Sequence, residues 1–128
     1  MAVGLLLITH GELGEALLAS AQHILGQCPL PIAHCAVTSS EVAADVHTRL
    51  QQAWQRVNQN AGVLILTDLY GSTPSNLASL LLTQGQTRLV SGINLPMLLR
   101  VLNYPQLGLD ELAVKAASGG AEGIVSLP

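Results

Sequence analysis

The sequence predicts an α/β fold, a mainly parallel, doubly wound sheet with helices on both faces. Three observations carry that expectation. Short runs that are apolar throughout, VGLLLIT at residues 3–9 and GVLILT at 62–67, have the composition of strands buried on both faces. Longer segments with apolar residues at helical spacing separate such runs, and parallel neighbours need crossovers of that kind. The 128 residues are 49% hydrophobic and only 10% charged, ample for one well-filled core.

In chain order, residues 3–9 form the first expected strand. Residues 13–25 then place Leu13, Ala16, Leu17, Ala21, Ile24 and Leu25 at helical spacing, and Gly26 and Pro29 stop that helix. Residues 31–37 are a weaker second strand. Ser39 and Ser40 are the expected caps of the next helix, with Glu41 in its first turn. This helix runs to about Val57 with Val42, Val46, Leu50, Ala53 and Val57 along one side. Residues 58–62 turn into the third strand, 62–67, and 68–73 form a loop. Thr73 before Pro74 reads as an N-cap with proline at the first helical position. That helix continues to about Leu82. A short strand at 87–91 precedes a helix in NLPMLLRVLNYP, closed by Asn103 and Pro105. A last helix over 110–118 is expected to break at Gly119 and Gly120, and 124–127 to form a final strand.

Composition narrows the function. The whole chain, 1–128, reads as a single domain without linker, repeat or low-complexity tract. Five Lys and Arg and a net charge of −3 argue against a basic nucleic-acid face. No apolar run is long enough for a membrane span. The apolar start lacks preceding basic residues and a cleavage site, so it reads as a strand rather than a signal peptide. Cys28 and Cys35 fit neither CxxC nor a disulfide framework and read as reduced, half-buried thiols of a cytoplasmic protein.

Both expected inner strands end in a residue capable of chemistry, His10 and Asp68. In doubly wound sheets, ligands bind beyond the carboxyl ends of strands, and in flavodoxin-like orders the first and third strands flank the switch point. Gly11 lets the backbone turn after His10. A carboxylate accepting from one ring nitrogen fixes the tautomer and leaves a lone pair on the other, free to attack phosphorus or bind a metal. The bland alternatives are a strand-end turn for Asp68 and a satisfied histidine for His10. His23, His34 and His47 have no acidic or glycine neighbour suggesting a site. The Gly71-Ser72-Thr73-Pro74 segment adds a helix N-terminus, worth about 0.3–1 kcal/mol to a nearby exposed anion. It lacks the P-loop pattern, and no GxGxxG follows the first strand.

These residues resemble the enzyme IIA component of the mannose-type (mannose/fructose/sorbose) sugar phosphotransferase system. ITHGELGEAL resembles the family's phosphorylation segment, and LTDLYGSTPSNLA is similar to its T-D-L-F-G-G-S-P-F-N pattern. SGINLPMLLRVL resembles its G-x-N-L-P-M-L stretch, and AASGGAEGIVSL its C-terminal A-x-x-G-x-x-G-I segment. The resemblance implies His10 as phosphoryl acceptor and donor, and Asp68 as partner of the ring nitrogen that is not phosphorylated. Gly11, Gly71, Ser72 and Thr73 become the expected phosphate-binding residues, Thr73 in place of the family's serine. Ser72 replaces a usual glycine and Ser75 a usual aromatic.

The resemblance further implies a cytoplasmic homodimer with its last strand exchanged. A histidine phosphocarrier protein would be the donor, and a separate IIB component, none being expected within a chain stopping at Pro128, the acceptor for sugar uptake. In the absence of that component the domain would signal phosphorylation state. No metal, cofactor, nucleic acid or membrane insertion is expected. Three alternatives stand beside this. The phosphoryl-donor subunit of dihydroxyacetone kinase has a strand-end histidine but lacks the Asp-Leu-aromatic-Gly and Asn-Leu-Pro-Met stretches. A tetrapyrrole metal chelatase would need a second ligand near His10. In a non-catalytic regulatory dimer, His10 would never turn over.

Overall fold

The computed structural model describes residues 2–128; Met1 of the expected domain lies outside the described residues. Four strands, β1 (Gly4–His10), β2 (Ile32–Val37), β3 (Val63–Thr67) and β4 (Thr87–Ser91), form a parallel sheet in the order β2-β1-β3-β4. Helices α1 (Leu13–Leu25) and α2 (Ala43–Val57) link the first three strands. Helix α3 (Thr73–Ser79) continues as a 3-10 turn, Leu80–Thr83, before β4, and α4 (Leu95–Leu102) and α5 (Leu109–Glu122) complete the chain. The two central strands are buried on both faces, as their unbroken apolar composition predicts.

Alternation along β1 and β3 divides the core in two. Leu5, Leu7, Leu64 and Leu66 pack with Leu18, Leu98, Val101 and Leu112 of α1, α4 and α5. Leu6, Ile8, Val63 and Ile65 pack with Val46, Leu50, Trp54 and Ala78 of α2 and α3. Each fully buried leucine or isoleucine contributes about 1.5–3 kcal/mol relative to an exposed one. Trp54 donates its indole N–H to Thr87 Oγ1 at 3.0 Å, so its polar atom is satisfied inside the second layer.

The structure corrects several expectations. In α1 the buried residues are Gly14, Leu18 and Ala21, while Leu13 and Ile24 are exposed. Gly14 escapes an apolar count because it buries by lacking a side chain: a Cβ there would lie 3.1 Å from Thr9 Oγ1. Ser39 and Ser40 do not cap α2. The Glu41 carboxylate instead closes a turn before the helix, accepting from the Thr38 N–H at 3.0 Å and from Arg49 Nη2 at 2.6 Å. Val42 is consequently exposed. Helix α3 has Ser72 rather than Thr73 at its N-cap, with no side-chain cap bond. Cys35 is buried rather than half-buried, whereas Cys28 is intermediate; both are free.

Two corrections concern the C-terminal region. Helix α5 does not break at Gly119 and Gly120 but continues to Glu122. Those glycines allow close contact with α4: a Cβ on Gly119 would sit 2.5 Å from Arg100 Cβ, and one on Gly120 2.9 Å from Met97 Cε. Packing supplies what glycine's weak helix propensity withholds. The expected strand at 124–127 is absent, and residues 124–128 are exposed without regular structure. A strand exists only when another strand accepts its backbone bonds, and none within the described chain pairs with this segment.

Candidate active site

Strands β1 and β3 are parallel neighbours with Ile8 opposite Thr67, so both end at one edge of the sheet. That register brings His10 and Asp68 together. The His10 backbone N–H donates to Asp68 Oδ2 at 3.0 Å, and ring Nδ1 lies 2.7 Å from the same oxygen. The Leu69 N–H donates to Oδ1 at 3.1 Å. A carboxylate only accepts, so Nδ1 carries the hydrogen and the lone pair of the neutral ring resides on Nε2. The Asp68 side chain is 10% exposed and that of His10 53%, an anchored acid beneath an open ring. Burial pushes the Asp68 carboxyl upward, but the hydrogen bonds from the His10 amide and ring outweigh it and hold the group below the usual carboxylate value.

The backbone around His10 is pinned on both sides. Thr9 is buried, and its hydroxyl accepts the Gly14 N–H at 2.9 Å, performing the capping that Glu12 leaves undone. Gly11 adopts φ +49 and donates its N–H to Val37 O at 3.1 Å. Sequence reasoning passed over Thr9; its one signal was a polar residue ending an apolar run.

The loop after Asp68 turns at Gly71, φ +81, and enters α3. The Ser72 hydroxyl donates to Leu69 O at 2.6 Å, so its hydrogen is already committed within the loop. Thr73 is exposed at the first position of α3, at the sheet end that carries His10 and Asp68. Leu69 and Tyr70 are exposed beside Asp68, whereas Ser75 is buried.

The other three histidines do not join this cluster. His23 lies on α1, His34 on the exposed side of β2, and His47 on α2. The Nδ1 of His47 is buried without a hydrogen-bond partner among the described residues. Among the described residues no three His, Cys, Asp or Glu side chains converge on a common point.

Fold and pair together define a class: an α/β domain presenting a half-exposed histidine whose Nδ1 is held by a carboxylate. A family model described as PTS system fructose IIA component matches residues 4–116, and the chain belongs to that family. The PTS system mannose-specific EIIAB component of Escherichia coli (strain K12) is 28% identical over 130 residues, covering 99% of this chain and 40% of that protein. This chain thus spans less than half the length of that relative. The PTS system fructose-specific EIIA component of Bacillus subtilis (strain 168) is 30% identical over 112 residues, covering 86% of this chain and 76% of that protein. Among solved structures, the mannose/sorbose specific IIA subunit of the phosphotransferase system from Enterococcus faecalis superposes with a TM-score of 0.85 at 30% identity, covering 100% of this chain and 96% of that one. These likenesses support neither the dihydroxyacetone kinase nor the chelatase alternative.

Proposed function

We propose that this chain is a phosphohistidine carrier of a sugar phosphotransferase system, accepting a phosphoryl group on His10 Nε2 from a histidine phosphocarrier protein and passing it to a IIB component. The observation that carries this reading is the 2.7 Å contact between His10 Nδ1 and Asp68 Oδ2, which leaves Nε2 as the free nucleophile. In the forward step the N–P bond of the donor breaks, its nitrogen keeps the electron pair, and a bond forms from Nε2 to phosphorus. Nδ1 keeps its hydrogen toward Asp68, which shares the positive charge that the ring acquires. Transfer to the IIB component reverses these roles.

Gly11, Gly71, Ser72 and Thr73 form the cradle for the phosphoryl oxygens in this reading. Thr73 offers an exposed hydroxyl, whereas Ser72 must release Leu69 O before it can donate to a ligand. No described helix is long and apolar enough to cross a membrane; the carrier reading itself places the domain in the cytoplasm. The same reading takes the chain as a homodimer that exchanges residues 124–127. Their exposed Ile124, Val125 and Leu127 support it, since they lack cover in the single chain.

Incubation with phosphoenolpyruvate, enzyme I and the phosphocarrier, followed by intact-mass analysis, tests the proposal. One acid-labile, base-stable phosphoryl group is expected on the native chain and none on His10→Ala. Equal labelling of that variant overturns the assignment.

A further inference from the structure

The SGINLPM stretch, residues 91–97, contributes no atom to the pair just described, yet it is bonded to the peptide that carries Asp68. The carbonyl of Thr67, the residue immediately before Asp68, accepts two amides, from Gly92 and Ile93, each at 2.9 Å. The Thr67 hydroxyl donates to Ser91 Oγ at 3.0 Å. Thr67 is fully buried, so the accepting end of this cluster is shielded from water, although Gly92 is exposed and Ser91 partly so. Two successive amides converge on one oxygen because Gly92 takes φ +91. No atom would crowd a Cβ there, so glycine is required for its conformation rather than for space.

The segment is itself held from its far side. Asn94 Oδ1 accepts the Met97 N–H at 2.9 Å and caps α4, while its Nδ2 donates to Gly120 O on α5 at 3.1 Å. One side chain therefore ties the β4–α4 turn to two helices, and the turn ties down the base of Asp68. Asp68 in turn holds His10 Nδ1.

We propose that Ser91 and Asn94 are positioning residues for phosphoryl transfer, holding the Thr67–Asp68 peptide so that the carboxylate keeps the hydrogen of the His10 ring on Nδ1. The proposal rests on the carrier reading for its kinetic consequence, but its geometric half does not. If the clamp loosens, the carboxylate moves relative to the ring, the neutral imidazole divides between its two tautomers, and less of it presents a lone pair at Nε2. Docking of the donor protein is untouched, because Thr67 is buried and Ser91 only partly exposed.

The test uses the full chain carrying Ser91→Ala, Ser91→Thr or Asn94→Asp. The last keeps an acceptor for the Met97 amide but removes the donor to Gly120. Nitrogen NMR of the unphosphorylated protein reads the tautomer of the His10 ring, and transfer from the phosphorylated phosphocarrier reads kcat and KM. Ser91→Ala and Asn94→Asp are expected to lower the Nδ1–H fraction and to cut kcat about fivefold, the size of one neutral hydrogen bond, with KM unchanged. Ser91→Thr, which retains a hydroxyl, is expected to restore both. Wild-type tautomer populations in Ser91→Ala and Asn94→Asp overturn the proposal, as does a loss confined to KM or a Ser91→Thr variant as impaired as Ser91→Ala. Absence of labelling on the native chain overturns the carrier reading instead, and the NMR result still decides the positioning role.

Discussion

At the scale of single residues, Asp68 carries the sharpest expectations. Asp68→Asn keeps the shape but loses the charge that strengthens both bonds from His10. Transfer should slow roughly ten- to hundredfold, the range for losing a charge-assisted bond. The fold should persist, because the residue sits at an open strand end. Its carboxyl is depressed below the ordinary value of 3.8 by these bonds, so its stabilisation is fully present above that pH and is lost as pH falls through the folded value. Melting temperatures of native and Asp68→Asn protein should therefore converge on acidification, and a constant gap would contradict the assigned pairing. Thr73→Ala should act elsewhere. Thr73 is not the N-cap of α3, so no capping loss is expected and the melting temperature should stay near wild type. The lifetime of phosphorylated His10 should shorten; an unchanged lifetime would place the cradle outside Thr73.

At the scale of elements, legibility followed where each element's stability arises. Strands β1 and β3 were legible because complete burial requires apolar residues at every position, a demand written locally. Helix α4 was legible within NLPMLLRVLNYP through the Asn103 and Pro105 that close it, whereas its Asn94 cap emerged only from the structure. Helix α5 was misjudged at Gly119–Gly120, because a local rule about glycine cannot register that α4 lies against those two residues. This contrast makes a prediction with a reversed sign. Gly→Ala within a free helix stabilises by about 1 kcal/mol. Gly119→Ala should instead destabilise by about 1–3 kcal/mol, since its methyl would meet Arg100 and force α4 and α5 apart. Urea unfolding at equilibrium measures this directly, and a stabilised variant would show that the two helices separate without cost.

For the whole molecule, the unpaired segment at 124–128 is the main open feature. Close packing of Gly123 against Pro96 sets the last turn of α5 beside the first turn of α4, which follows β4. The segment thus leaves at the end of the sheet where His10 and Asp68 sit. Burying Ile124, Val125 and Leu127 against a second copy would contribute about 1.5–3 kcal/mol for each side chain. Sedimentation velocity should show a dimer for the full chain and a monomer when 124–128 is deleted. A deleted form that sediments as a dimer would remove the segment from the interface.

The sequence by itself determined the fold class, four of the five strands it predicted, the strand-end placement of His10 and Asp68, and the family, because buried strands and their termini leave local marks. The 2.7 Å pairing through Nδ1, the buried Thr9 cap, the commitment of Ser72 to Leu69 and the bonds of Ser91–Ile93 to Thr67 were decided by tertiary structure alone. Each joins groups whose meeting depends on sheet register or loop closure. Apolar periodicity marks which face of a strand is buried, but not which atom of a neighbouring strand or loop a polar group will meet.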